Sequence, residues 1–220
     1  MTDPHIRQYS HLGGTTTELL ERFAVSELCK GWPVYRDASE WANYRSIFAD
    51  DAIVWTTWSG PQPIEDFIRI SISGKEAGAF IMHRECGTLV ELNTETNRAV
   101  GKMKATITQR FQHPDGFEYD VDCDCRFMFF YEKTTDWKAV FVKLVYEKDK
   151  LVPVDGRVPS FAPEVLAKYP QGYRYLGAAQ STLGYDIDLD LVTGKNTVGM
   201  YRSIERWLEE PAMSRSFRPE

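Results

Sequence analysis

Hydrophobic residues in the first third of the chain recur mostly at the spacing of helices. The pattern predicts helices over residues 15–30, 39–48 and 64–73, with a strand at 52–58 and a Pro-rich turn at 60–63. The apolar positions of the first helix are Leu19, Leu20, Phe23, Ala24 and Leu28. The opening segment is therefore predicted to be helical, with one strand before its last helix.

From residue 88 onward the spacing changes to the alternation of strands. Strands are predicted over residues 88–92, 99–111, 119–132 and 137–148, with a turn at 113–116. Helices followed by a run of strands joined by short turns are typical of an α+β domain. We predict a curved antiparallel sheet whose one side is covered by the N-terminal helices, leaving a pocket between them.

The chain beyond residue 150 has a different composition. Pro, Gly and Tyr residues are scattered through it, and a closing helix is predicted within residues 194–210. The segment is too short and too poor in apolar runs to be a separate enzyme. We expect one domain over residues 1–149 and an extension over 150–220 that packs on it, as a lid over the pocket or as part of a dimer interface.

Composition allows an ordinary core and disfavours two classes of partner. The chain has 220 residues, of which 43% are hydrophobic and 26% are charged. Its net charge of −6 disfavours a nucleic-acid binder, which usually has a basic surface. No segment approaches the roughly 20 apolar residues of a membrane span, and the N-terminus has no signal-type apolar run. We therefore expect a cytoplasmic protein with neither nucleic acid nor membrane as a partner.

Cysteine usage and the known short motifs point to chemistry without a cofactor. Cys123 and Cys125 lie two apart on a predicted strand, so they face the same way and do not readily bond to each other. No C-x-x-C pair, Gly-rich phosphate loop, G-x-S-x-G or H-E-x-x-H motif is present. We expect reduced thiols, no metal and no cofactor.

Asp37 and His83 are the candidate chemical groups. A lone Asp at a helix start and an isolated His are ordinarily structural, so neither is specific alone. The other histidines, at positions 5, 11 and 113, fall in terminal or turn segments, which leaves His83 as the best imidazole. A carboxylate and an imidazole suffice to move a proton between carbon and oxygen near neutral pH.

The spacing around these two residues supports a resemblance. Asp37 stands four residues before Trp41, and His83 stands four residues before Gly87, where the sheet begins. With the order of elements over residues 15–148, this resembles the SnoaL-like, NTF2-like superfamily of cone-shaped α+β domains. Within that superfamily the chain is most similar to scytalone dehydratase and to fungal isomerases of tetrahydroxanthone biosynthesis.

The resemblance implies a set of site residues. Asp37 would orient His83, which would act as general base and then general acid. The residues expected to contact substrate are Tyr44, Trp55, Trp58, Thr108, Cys125 and Phe127. Thr108 stands near the family's second catalytic histidine, although the strand register equally allows Ile107 and its alternating neighbours Met103 and Ala105 to face inward.

The same resemblance implies a function and its alternatives. The loss of the second histidine favours a cofactor-independent isomerase of fungal-type polyketide biosynthesis, acting on a small-molecule substrate that is a polycyclic phenolic or cyclohexenone intermediate. A scytalone-dehydratase-like dehydratase is the enzymatic alternative, and a non-catalytic ligand- or protein-binding module is the other. A homodimer formed through the outer sheet face is expected by resemblance.

Overall fold

The computed structural model describes residues 14–210 and 218–220. Its helices are α1 (Thr16–Gly31), α2 (Trp41–Ser46), α3 (Ile64–Glu76), α4 (Pro163–Leu166), α5 (Arg174–Ser181) and α6 (Val198–Glu209). Its strands are β1 (Phe48–Thr56), β2 (Gly60–Pro63), β3 (Ile81–Asn93), β4 (Arg98–Gln112), β5 (Glu118–Lys133) and β6 (Trp137–Pro153). The predicted α+β class is confirmed. None of the helices in these residues is long and apolar enough to cross a membrane.

All the strands form one sheet in the order β2-β1-β6-β5-β4-β3. Every neighbouring pair is antiparallel except β1 and β6, which are parallel. The prediction of a wholly antiparallel sheet was therefore wrong in this detail. The reason is topological, because the meander from β3 to β6 brings the last strand back beside β1 in the same direction.

Helix α1 begins at a capping box and crosses the inner face of the sheet. The Thr15 side chain accepts a hydrogen bond from the Glu18 backbone, and Glu18 in turn accepts from the Thr15 backbone, which satisfies two donors of the first turn. Its most deeply buried apolar residues are Val25 and Cys29. Close packing follows at Gly101 on β4, where an added Cβ would lie 2.2 Å from the Cys29 sulfur.

Several of the apolar residues that predicted α1 do not belong to the core. Leu19, Leu20 and Phe23 are 48%, 64% and 62% exposed. The helix turns a neighbouring face toward the sheet, so periodicity located the helix correctly but placed its buried face wrongly.

Two apolar layers cover the two faces of the sheet. The larger one lies between the inner face and the N-terminal helices and includes Trp32 and Phe127. The smaller one lies on the outer face, where α6 packs Ile204 and Trp207 against Phe130 of β5. Helices therefore cover both sides of the sheet, contrary to the expectation of one covered side.

Candidate active site

A π-helical turn over Trp32–Arg36 follows directly from α1 and positions the candidate acid. Asp37 caps this turn, with its backbone N–H donating to the carbonyls of Pro33 and Val34. The turn is fixed from within, because the Trp32 side chain is fully buried and its ring lies 5.1 Å from that of Phe127. Asp37 is thus held in place by the packing of the turn that precedes it.

Strand β3 brings His83 to the same place. His83 pairs with Ile107 of β4, and its side chain is only 4% exposed. One carboxylate oxygen of Asp37 lies 2.7 Å from His83 Nδ1, and the other accepts the His83 backbone N–H at 2.5 Å. Because an ionised carboxylate can only accept, we assign the ring proton to Nδ1. Nε2 then carries the lone pair, and it has no hydrogen-bond partner among the described residues.

Burial decides the charge of the imidazole. Desolvation lowers the pKa of His83 below its ordinary 6.5, and the nearby cation of Arg36 lowers the pKa further. The hydrogen bond and the negative charge of Asp37 act in the opposite direction, but burial is the larger effect. At neutral pH His83 is therefore a neutral imidazole, the form that a general base needs.

A small cavity lies against His83. Its volume is about 30 Å³, which holds about two water molecules. Its wall includes the rings of Trp32, Trp58, Phe67 and Phe127. A second cavity of about 20 Å³ adjoins it, and Arg36 lines both. The site is mostly aromatic, with a few polar groups, as is usual for small-molecule pockets.

The chain is also similar in sequence to known proteins. Residues 17–143 match the SnoaL-like domain family. The chain belongs to the SnoaL-like family. It is 48% identical to a PEP2-like protein of Fusarium vanettenii over 203 residues, covering 87% of each chain. It is 45% identical over 208 residues to pea pathogenicity protein 2 of the same organism, covering 89% of each.

A solved structure shares the fold of this SnoaL-like chain. A candidate scytalone dehydratase from Novosphingobium aromaticivorans aligns with a TM-score of 0.51 and 15% identity. The alignment covers 66% of this chain and all of that one. At this identity the likeness shows the architecture alone.

The other predicted site residues of this SnoaL-like chain fall into three groups: some line the cavity, some lie in the core around it, and some lie outside it. Trp58 and Phe127, two of the predicted substrate contacts, line the cavity. Tyr44 and Cys125 are buried in the surrounding core and are not among the lining side chains. The Tyr44 ring packs edge-on 5.5 Å from Trp32, so it supports the wall from behind.

Thr108 and Trp55, the other two predicted substrate contacts, do not line the cavity. Thr108 is on the outer face, where its hydroxyl donates to Asp122 at 2.5 Å. The alternative register is the observed one, because Ile107 lines the cavity. Trp55 donates its indole N–H to Asp188 at 2.7 Å, and the Lys143 ammonium lies over its ring. A shift of one residue along a strand moves a side chain to the opposite face.

The extension supplies residues that the sequence did not reveal. Gln180 of α5 is buried in the wall of the cavity. It accepts a hydrogen bond from Thr57 Oγ1 at 2.8 Å and donates to Gln109 at 2.9 Å. Tyr185 lines the adjoining cavity, and its ring lies 5.6 Å from that of Trp58. No motif marks these residues, since long-range pairing alone brings them to the site.

Proposed function

We propose that this SnoaL-like protein is a cofactor-independent isomerase of a fungal-type, tetrahydroxanthone-like polyketide pathway. The observation that carries the proposal is the double contact of Asp37 with the ring and the backbone of His83. It orients a neutral imidazole toward an aromatic-lined cavity. The two named relatives come from a fungus, which agrees with the proposed source of the substrate.

The proposed reaction relocates one proton. His83 Nε2 removes a proton from a carbon that a neighbouring carbonyl has acidified, and the electron pair moves into a dienolate. The imidazolium formed in this step is stabilised by Asp37, which already accepts the Nδ1 proton. His83 then returns the proton to another carbon of the same framework, which shifts a double bond or inverts a centre.

The site favours isomerisation over two alternatives. A dehydratase must also protonate a leaving hydroxyl, and His83 is the only histidine among the side chains lining the cavity in the described part of the chain. The fold likeness to a candidate scytalone dehydratase keeps dehydration as the second candidate. A non-catalytic module has no need to hold acid and imidazole in contact, and here they lie 2.7 Å apart.

The test is proton exchange at carbon. Purified protein is incubated in deuterated water with a panel of phenolic and cyclohexenone polyketides, and the products are analysed by mass spectrometry and NMR. We expect a product with no loss of water, carrying deuterium at the newly protonated carbon to the extent that the His83 imidazolium exchanges its proton with solvent before returning it. A product lighter than the substrate by one water molecule would instead identify a dehydratase.

Two substitutions test the dyad directly. We expect His83→Ala to lower the rate by about 10²–10⁴-fold, the usual contribution of a general base. Asp37→Asn should cost a comparable factor, because one amide oxygen cannot accept from both the backbone N–H and the ring N–H of His83, as the two carboxylate oxygens do. His113→Ala, in the β4–β5 turn, is the matched control and should be fully active. Full activity of His83→Ala contradicts the mechanism.

A further inference from the structure

Arg36 is a buried cation whose hydrogen-bonding capacity is mostly unused. The residue is 3% exposed, and its Nε and Nη1 atoms have no hydrogen-bond partner among the described residues. The remaining nitrogen, Nη2, makes a long contact of 3.4 Å to the Ser71 hydroxyl. The guanidinium carbon lies 6.0 Å from the Trp32 ring and 5.6 Å from the Phe67 ring. Aromatic faces attract this cation, but they do not accept its hydrogen bonds in the plane of the group.

No carboxylate of residues 14–210 or 218–220 lies within ion-pair distance of this guanidinium. The nearest acid in sequence, Asp37, directs its two oxygens to His83. A charge that is buried without a partner costs several kcal/mol, so proteins retain one mainly where something else neutralises it. Arg36 lines both cavities, so its guanidinium borders the space next to His83.

Lys75 adds a second positive charge beside Arg36. Its ammonium donates to the backbone carbonyls of Arg36 and Asp37, at 3.0 and 2.5 Å, and to the Ser39 hydroxyl at 3.1 Å. Those partners are neutral, so they satisfy its donors without cancelling its charge. With His83 neutral, two cations face the single carboxylate of Asp37, and the site carries a positive field.

We propose that Arg36 binds an anionic oxygen of the substrate, with Lys75 attracting it, so that the enzyme selects molecules bearing a carboxylate or an ionised phenol. The inference rests on the proposed function only for the identity of the molecule as substrate. A guanidinium presents parallel N–H donors that match two oxygens of an anion. Binding at Arg36 holds the ring next to His83, because both side chains line one cavity.

The anion site is tested by binding, without turnover. Isothermal titration of the full-length protein uses benzoate, 4-nitrophenolate and the neutral benzamide as probes. We expect Arg36→Gln to weaken the binding of an anion by about ten- to hundredfold, which corresponds to the loss of a charge-assisted hydrogen bond. The affinity for benzamide should not change. The two anions separate a carboxylate site from a phenolate site. Arg69→Gln is the control, since Arg69 is an exposed residue of α3 paired with Asp66.

Two further variants keep the outcome decisive. Arg36→Lys retains the charge and should recover anion binding in part, which a variant that merely misfolds does not do. His83→Ala should bind benzoate like the wild type while losing proton exchange, so failure of the proposed reaction is distinguishable from failure of the anion site.

A second readout does not depend on affinity. The Arg36 cation lowers the pKa of His83, so an NMR titration of the imidazole should give a higher pKa in Arg36→Gln and an unchanged one in Arg69→Gln. Equal binding of benzoate by wild type and Arg36→Gln, or no binding of either anion to the wild type, overturns the proposal. Either result means that water alone satisfies the guanidinium.

Discussion

At the scale of single residues, the site depends on opposing effects on one imidazole. Burial removes water from His83 and favours its neutral form, whereas Asp37 favours the charged form. The balance suits a base that must begin neutral and become charged during the reaction. Asp37 has no need to accept the proton, because orienting the ring and stabilising the imidazolium are enough.

A pH profile tests this balance. His83 has a folded-state pKa below 6.5, so kcat/KM should be constant above that pH and fall as the pH drops through the lowered value. The unfolded chain binds this proton more readily than the folded one. The contribution of His83 to stability is therefore fully present above pH 6.5 and lost on acidification.

The control for the profile is Asp37→Asn. Because Asp37 raises the pKa of His83, its loss should move the acid limb to still lower pH, in addition to lowering the plateau. Kinetics across pH 4–8 and NMR titration of the imidazole measure the same quantity in two ways. An acid limb above pH 6.5 in the wild type contradicts the assignment of His83 as a buried neutral base.

At the scale of elements, the N-terminus of helix α5 is capped by an acidic side chain from the sheet. Tyr173, which precedes the helix, has no side-chain cap. Asp149 of β6 supplies the acceptor instead, because its Oδ2 receives the Leu176 backbone N–H at 2.8 Å. Burial raises the pKa of Asp149 to about 6 despite these favourable hydrogen bonds. The contact joins the extension to the core at the helix that forms one wall of the cavity.

Asp149→Asn tests this junction. The amide oxygen can still accept from Leu176, but no charge has to be buried. A raised carboxyl pKa means that the favourable contribution of Asp149 is present below its ordinary 3.8 and is lost as the pH rises through about 6. The melting temperature of the variant should therefore rise relative to wild type between pH 4 and 7. Asp149→Ala, which has no acceptor, should be less stable at every pH.

The sequence predicted elements better than the faces they present. The second predicted helix, at 39–48, is shorter in the structure because Phe48 already begins β1. The strand predicted at 88–92 extends back to Ile81 and contains His83. Thr108 shows why the rest was missed, since alternation fixes a strand but not which of its faces looks inward.

The Asp37–His83 pair could be predicted because each residue belongs to a short motif with a recognisable spacing in the sequence. Asp37 before Trp41 and His83 before Gly87 are short local spacings, and the structure brings the two side chains together. Gln180 could not be found in that way. It contacts Gln109 and Thr57 across more than seventy residues of chain, and nothing local distinguishes it from a surface glutamine.

At the scale of the whole molecule, the extension acts on both faces of the core. Its α5 lines the cavity, while α6 covers Val100 and Phe130 on the outer face. The uncovered part of that face carries cross-strand ion pairs such as Arg84 with Asp122 and Arg110 with Asp120. The homodimer stays a prediction, and an interface on this face would be partly polar.

The small volume of the cavity means that a cyclic substrate needs the protein to move. A cavity of about 30 Å³ accommodates water but not a cyclic substrate, whose pocket is typically about 300 Å³ or more. The segment from α5 to Asp188, here called the cover, is held by Gln180 and by the ring contact of Tyr185 with Trp58. Further hydrogen bonds join Leu176 to Asp149, and Asp188 to Trp55 and to the Thr57 backbone. The cover is the natural place for opening, because it is joined to the core mainly by side-chain contacts, whereas the sheet beneath it is continuously hydrogen-bonded.

Gln180→Leu should open the cover more often. The change leaves Thr57 and Gln109 without their buried partner, which should cost about 1–3 kcal/mol of unfolding free energy. Hydrogen–deuterium exchange followed by mass spectrometry should show faster exchange over residues 174–188, with β5 unchanged. Gln171→Leu is the control, because Gln171 is exposed and bonds only to Lys195 among the described residues. If residues 174–188 exchange as slowly as β5 in both variants, the cover does not open, and substrate must enter by another route.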